Sequence, residues 1–365
     1  MLKIFAFPAG KGDFFVLKCE EKEKENYILI DGGDKTGVRV YYAILKQLLD
    51  NKKTIDALIF THIDDDHICG ALMALMAMKE LPEIKKIYIN TGRGIEKRLK
   101  IRINNQFPED LARKYLQKPK IEHTVSKALN LLQFFDNRGL TDKVESCICQ
   151  GDKLKIGPMV LKVISPGRER LEKYVRFWNK EERKYDDIVL ETHSVKQNQK
   201  KKKLSEYVKE QVMEDNSVTN GSSIAFILEY GNSKAAFLGD AWPSECIQGI
   251  RNWYPVGVAV DLIKIPHHGS ARNFSNVLYE LLRTNCVLLS TDGACGHPSP
   301  IFLGKLLQQI PDIKIFCNQN WIDTYGWEET DKERYCSGME SVFCVLKENV
   351  FLTESVLIGR KFSEI

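Results

Sequence analysis

Short apolar runs at strand period alternate with longer runs at helix period along this chain. Ile4 to Pro8 and Phe14 to Cys19 read as strands flanking the glycine-rich turn Ala9 to Asp13, and Tyr27 to Ile30 reads as a third strand running into Asp31-Gly32-Gly33. A helical period over Val38 to Leu49 leads to the strand Ile55 to Phe60; an apolar helix, Ile68 to Met78, then precedes the strand Lys86 to Asn90. Strands alternating with helices predict an α/β sheet with helices packed on its faces.

The middle third is less regular. Glu96 to Lys120 is basic and broken by Pro108 and Pro119, whereas His123 to Phe135 has the period of an amphipathic helix. Asp152 to Gly157 and Val160 to Ile164 pattern as a hairpin that ends at Ser165-Pro166-Gly167. From Arg168 to about Asp215 the chain is Lys/Glu-rich and poor in aliphatic residues, which predicts an insertion, helical in parts and mobile in parts. The expected organisation is a single domain over 1–365, with 93–215 partly insertion.

Regular pattern returns with Ser223 to Tyr230 and Lys234 to Leu238, strands paired across Gly231-Asn232, the second ending at Gly239-Asp240. Pro243 opens a helix to about Trp253, and the buried strand Asp261 to Ile265 ends at Pro266-His267-His268-Gly269-Ser270. A helix from Ser275 to Arg283 precedes the strand Cys286 to Ser290, followed by the turn Gly293 to His297.

Those strand ends carry the chemistry. Thr61-His62-Ile63-Asp64-Asp65-Asp66-His67 follows a buried strand, and crowded carboxylates there repel unless a cation neutralises them. Taken alone, the stretch also fits an exposed acidic turn or a Ca²⁺ loop. Yet of seven histidines, five (His62, His67, His267, His268 and His297) stand at strand ends, leaving only His123 and His193 elsewhere. In an α/β sheet such ends deliver their loops to one edge, where a ligand is held.

Composition narrows the setting. The net charge of +4 hides a basic run, Lys196 to Lys203, which suits a solvated loop or a nucleic-acid contact. Ten cysteines lack both a preceding secretory signal and Cys-x-x-Cys spacing, so the expectation is a cytoplasmic protein with reduced thiols. Ile68 to Met78 falls short of the ~20 residues a bilayer span requires, and no membrane association is expected. Trp178, Trp242, Trp253, Trp321 and Trp327 suit a buried core or base stacking, and Gly92-Arg93-Gly94 a turn or phosphate contact. Asp13 and Asp31 are expected to brace turns beneath the site.

The Thr61 to His67 string resembles the His-x-His-x-Asp-His signature of metallo-β-lactamase-fold hydrolases, with Asp64 in place of the second histidine. With Pro266-His-His-Gly-Ser270 it resembles more closely the hydrolase domain of the DNA-uptake competence protein ComEC and its stand-alone relatives. Gly10-Lys-Gly-Asp13, Ile28 to Gly33, Leu238-Gly-Asp240 and Gly296-His297-Pro298 are similar to further blocks of that family, in the same order. The histidine motif expected before the Leu-Gly-Asp strand is replaced by Thr219-Asn220-Gly221-Ser222-Ser223. The resemblance implies an αββα sandwich of two mixed sheets flanked by helices. It also implies a centre of one or two divalent ions, Zn²⁺ or Mn²⁺ with Mg²⁺ admissible. His62 and Asp64 would hold one ion, Asp66, His67 and His297 the second, with Asp240 bridging; His267 is either a further ligand or faces substrate.

The expected function is a metal-dependent phosphodiesterase or nuclease, in which a hydroxide shared by the ions attacks a phosphodiester of nucleic acid or a nucleotide. Catalysis would fall to Asp66, to His268 and to His267, the histidines protonating the leaving oxygen or binding phosphate; Asn220 and Ser270 would bind substrate, Ser270 equally serving as a cap. Two other outcomes suit the same residues: hydrolysis of a thioester, lactone or amide, and a regulatory metal-binding component of a multi-protein, defence-type system whose charged insertion docks a partner.

Overall fold

In the computed structural model, which describes residues 1–22, 24–101, 124–183, 202–337, 341–361 and 365, the strand-period runs assemble into two eight-stranded mixed sheets. Edge to edge, the first contains Val350–Phe351, Val356–Gly359, Leu2–Ala6, Phe15–Glu21, Lys24–Ile30, Ile55–Phe60, Ile87–Ile89 and Val144–Glu145. The second runs Phe343–Val345, Lys314–Cys317, Cys286–Leu289, Leu262–Lys264, Ser233–Phe237, Ala225–Tyr230, Met159–Ser165 and Lys153–Ile156. Val356–Gly359 lies parallel to Leu2–Ala6, so a C-terminal segment completes the sheet that the first strand begins.

Side-chain alternation sorts these strands into layers. Ile4, Leu17, Ile28, Ile30 and Ile59 of the first sheet meet Phe226, Leu228, Phe237 and Leu288 of the second in the interior layer. Intervening residues such as Phe5, Val16, Leu29, Leu58 and Phe60 face outward, under the helices Val38–Asp50, Asp65–Ala77 and Thr124–Asn137. Ile227, Ala236, Ile263 and Val287 do the same on the second sheet, under Pro243–Trp253 and Pro300–Gln309. The result is helix, sheet, sheet, helix, the sandwich expected above.

Several elements differ from the sequence pattern. The helix expected at Ile68 begins at Asp65, which brings Asp65 and Asp66 into its first turn. Arg168–Arg183 is one helix whose Leu171, Tyr174, Val175 and Trp178 are buried in the first sheet's outer core, so four apolar contacts offset its charged composition. The hairpin expected over 152–164 forms, as Lys153–Ile156 and Met159–Ser165, and it is the edge of the second sheet. The helix expected to reach Arg283 stops at Leu281, because Leu282 leaves helical geometry and pairs with Val258. Trp178, Trp321 and Trp327 are buried, which makes them core and not a base-stacking face. His123, His193, residues 102–120 of the basic stretch and most of the Lys196 run lie outside the described residues.

No helix among the described residues is long and apolar enough to cross a membrane.

Candidate metal centre

Both sheets deliver the chemistry-bearing residues to one edge. Asp31 follows the strand ending at Ile30, Thr61 the strand ending at Phe60, and Asp240 the strand Ser233–Phe237; Pro266–Gly269 follows Leu262–Lys264. Asp31 adopts a left-handed backbone, φ 55°, and its carboxylate accepts from Thr61 N–H at 2.7 Å, Thr61 Oγ1 at 2.7 Å and His67 Nδ1 at 2.8 Å. His268 Nδ1 likewise donates to the Ser290 carbonyl at 2.8 Å. With both Nδ1 atoms committed as donors, both Nε2 atoms present lone pairs, and they face each other 3.3 Å apart. Two acceptors at that distance demand something positive between or beside them.

Asp240 sharpens this need, because it is itself an anion. Its Oδ1 lies 3.5 Å from His67 Nε2 and 3.6 Å from His268 Nε2, and Asp66 Oδ2 is 3.6 Å from the same His268 atom. Its Oδ2 faces the other way, 3.9 Å from His62 Nε2 and 3.7 Å from His267 Nε2, while Asp64 Oδ2 is 3.6 Å from His62 Nε2. His62 Nε2 and Asp240 Oδ1 are buried with no hydrogen-bond partner. Unpaired buried lone pairs of this kind cost free energy. Donor atoms close enough to share an ion come from His62, His67 and Asp240, from Asp66, His67 and His268, and from Asp13, Asp240 and His268. The chemistry of the set fits divalent cations.

The same groups shift one another's titration, and a proton on His67 is what a cation beside these imidazoles would displace. Burial works against charge at Asp240, yet His268, His67 and His267 together hold its carboxyl well below the usual range. Burial likewise opposes charge on His67, but Asp240 and Asp31 outweigh it and hold its imidazole well above the ordinary value. Burial, reinforced by Lys264 and the other imidazoles, pushes His268 well down. Asp66 is raised by burial, and Asp64 is lowered because His62 and Thr219 Oγ1, 3.0 Å away, outweigh burial.

Seven residues singled out in the sequence therefore converge: His62, Asp64, Asp66, His67, Asp240, His267 and His268. Their grouping is not the expected one. His268, expected to handle a proton, stands beside Asp66 and His67, and His297, expected there, packs its ring against His267 at 5.2 Å with a buried, unpartnered Nδ1. Ser270 caps the turn that follows, its Oγ accepting from Arg272 N–H, and Asn220 is buried, donating to Asp215 at 2.7 Å. Sequence reasoning missed Lys264, whose ammonium pairs with Asp13 and lies 3.9 Å from Asp240 Oδ1. A lysine inside the apolar run Leu262 to Ile265 was the available signal. It also missed Asp215 and Lys127, the latter buried and paired with Asp65.

The loop Gly10 to Asp13 closes beneath this centre. A Cβ on Gly12 would stand 1.5 Å from the Asp66 carbonyl oxygen, with no flexible side chain to yield. Gly12→Ala is expected to destabilise the fold by about 3 kcal/mol, the upper range for overpacking, read as a lower urea midpoint.

The Metallo-beta-lactamase superfamily model matches residues 14–75, the block from the second strand through the helix carrying Asp66 and His67. No curated protein matches the chain. Among solved structures, the metallo-beta-lactamase fold protein YhfI from Bacillus subtilis is similar at 9% identity, over 86% of this chain and 93% of that one, with a TM-score of 0.37. A diphosphatase from the PhnP family is similar at 13% identity, over 76% and 71%, with a TM-score of 0.32. ETHE1 from Myxococcus xanthus follows at 11%, over 70% and 69%, with a TM-score of 0.28. Likeness this distant transfers no residue roles. The matched block, and two mixed sheets with helices on both outer faces around it, give this chain the metallo-β-lactamase fold.

Proposed function

We propose that the protein is a metal-dependent hydrolase of phosphodiesters in nucleic acid or nucleotides. The observation that carries this reading is the placement of Asp240, one oxygen toward Asp66, His67 and His268 and the other toward His62, Asp64 and His267. A divalent ion held in each half, by Asp66, His67 and His268 and by His62, Asp64 and His267, would supply Lewis acidity and lower the pKa of water toward neutral pH. The chain's part is orientation: Asp31 and Ser290 keep the His67 and His268 lone pairs inward, and Thr219 fixes Asp64. Asp64 places a hard oxygen where lactam-type relatives carry an imidazole, which favours Mn²⁺ or Mg²⁺, with Zn²⁺ also accommodated. In this reading His268 is a ligand, and His297, beside His267, takes the substrate-facing place first given to His268. The competence-type blocks Gly10 to Asp13, Leu238 to Asp240 and Gly296 to Pro298 support a nucleic-acid substrate.

The test is turnover of bis(p-nitrophenyl) phosphate, single- and double-stranded DNA and RNA by purified protein in Mn²⁺, Mg²⁺ or Zn²⁺. Phosphodiester cleavage that falls about 100-fold or more in Asp66→Ala is expected. Turnover of thioesters or lactones with all phosphodiesters intact would sink the reading.

A further inference from the structure

His267 differs from the other imidazoles of the centre in how it is held. It adopts a left-handed backbone, φ 46°, a conformation costly for a residue with a Cβ, and its N–H donates to the Gly239 carbonyl at 3.0 Å, one residue before Asp240. Its Nδ1 meets Asn273 Oδ1 at 3.0 Å and Asp215 Oδ2 at 3.4 Å. Asn273 cannot turn its amide round, since its Nδ2 already donates to the Asp240 and Ala241 carbonyls. Two acceptors face Nδ1, Asn273 Oδ1 the nearest of its partners, beside the Asn220 Nδ2 donor at 3.4 Å; the shorter contact and the Asp215 charge favour the proton on Nδ1, and Nε2 is aimed at Asp240 Oδ2.

Asp215 is itself anchored for this purpose. It is buried, accepts from Ser217 N–H at 3.0 Å and from Asn220 Nδ2 at 2.7 Å, and its own N–H donates to the Arg272 carbonyl. Asn220 belongs to the short segment, Thr219 to Ser223, that stands where related hydrolases carry a further histidine. We propose that Asp215 is the positioning residue of the His62 and Asp64 half of the centre: it orients His267 so that Nε2 supplies the imidazole this segment lacks. Asp215 does for His267 what Asp31 does for His67. The inference rests on the metal-centre reading and not on the identity of the substrate.

Metal content and affinity test it, with Mn²⁺ and Co²⁺ as probes on the full chain. Wild-type protein should bind two ions. Asp215→Ala should lose about 10- to 100-fold in affinity for one of them, keep the other, and change the visible spectrum of only one cobalt site. Asp215→Asn, which retains an acceptor for Nδ1–H, should recover most of the loss. On bis(p-nitrophenyl) phosphate the alanine variant should lower kcat with KM little changed. Unchanged affinity and cobalt spectrum in Asp215→Ala would overturn the proposal. So would equal loss of both ions with a lower melting temperature of the metal-free variant, the pattern of a merely structural residue. Selective loss of one ion in a protein that cleaves no phosphodiester would leave Asp215 in place and refute the substrate class instead. Wild-type protein that binds no ion would refute both.

Discussion

Replacing Asp240 with alanine is expected to empty both halves of the centre in one step. Each oxygen of this carboxylate faces a different set of bases, Oδ1 the pair His67 and His268, Oδ2 the pair His62 and His267. His67 also offers a ligand atom to both sides, with His62 and Asp240 and with Asp66 and His268. Loss of Asp66 leaves His62, Asp64, His267 and Asp240 Oδ2 together, but loss of Asp240 leaves two imidazoles per side and one carboxylate at its margin. Phosphodiester turnover should fall roughly 1000-fold or more, at or beyond the upper limit of what losing a single electrostatic contact costs. Two further readings follow from the same geometry. Elemental analysis after dialysis should find almost no bound ion, and added Mn²⁺, which should raise the melting temperature of wild type by binding the native state alone, should leave the variant's unchanged. Metal retained by Asp240→Ala at wild-type stoichiometry would show that the carboxylate does not bridge.

The centre was legible in the sequence to the extent that it is local. His62 to His67 lies on one turn after one strand, and the histidines at other strand ends must reach the same edge of an α/β fold. What could not be read is which imidazole meets which carboxylate. His267 and His268 are neighbours in sequence, yet consecutive left-handed residues, φ 46° and 52°, send one to each oxygen of Asp240. No hydrophobic period or motif spacing encodes that divergence. His297 was likewise placed by analogy with a terminal block, and only the packing of its loop shows it against His267.

The fold was legible through strand-period alternation and misread where burial depends on a few residues. Arg168–Arg183 carries so many charges that its composition argued only for an insertion, helical in parts. Leu171, Tyr174, Val175 and Trp178 recur at three- and four-residue spacing and reach the core on one face, while Arg168, Lys173 and Lys180 remain outside. Tyr174 also donates to the Asn90 carbonyl at 3.2 Å, tying this helix to the end of the strand Ile87–Ile89. Periodicity carried that information, and composition concealed it.

Lys264→Met is expected to give the largest loss of stability of any single change in the centre. The ammonium is buried at 1% exposure, pairs with the equally buried Asp13, and donates to the Gly239 carbonyl at 3.1 Å. Removing one partner leaves an uncompensated carboxylate out of water, a loss of about 3–5 kcal/mol, read as a lower urea midpoint in metal-free protein. The double replacement Lys264→Met with Asp13→Leu removes both charges and should recover most of that loss, since an apolar pair of similar volume needs no desolvation of ions. A double variant as unstable as Lys264→Met would place the stabilisation elsewhere, in the hydrogen bond to Gly239 and the 3.9 Å approach to Asp240 Oδ1. The buried lysine would then act by holding the strand end that presents Asp240, and not by neutralising Asp13.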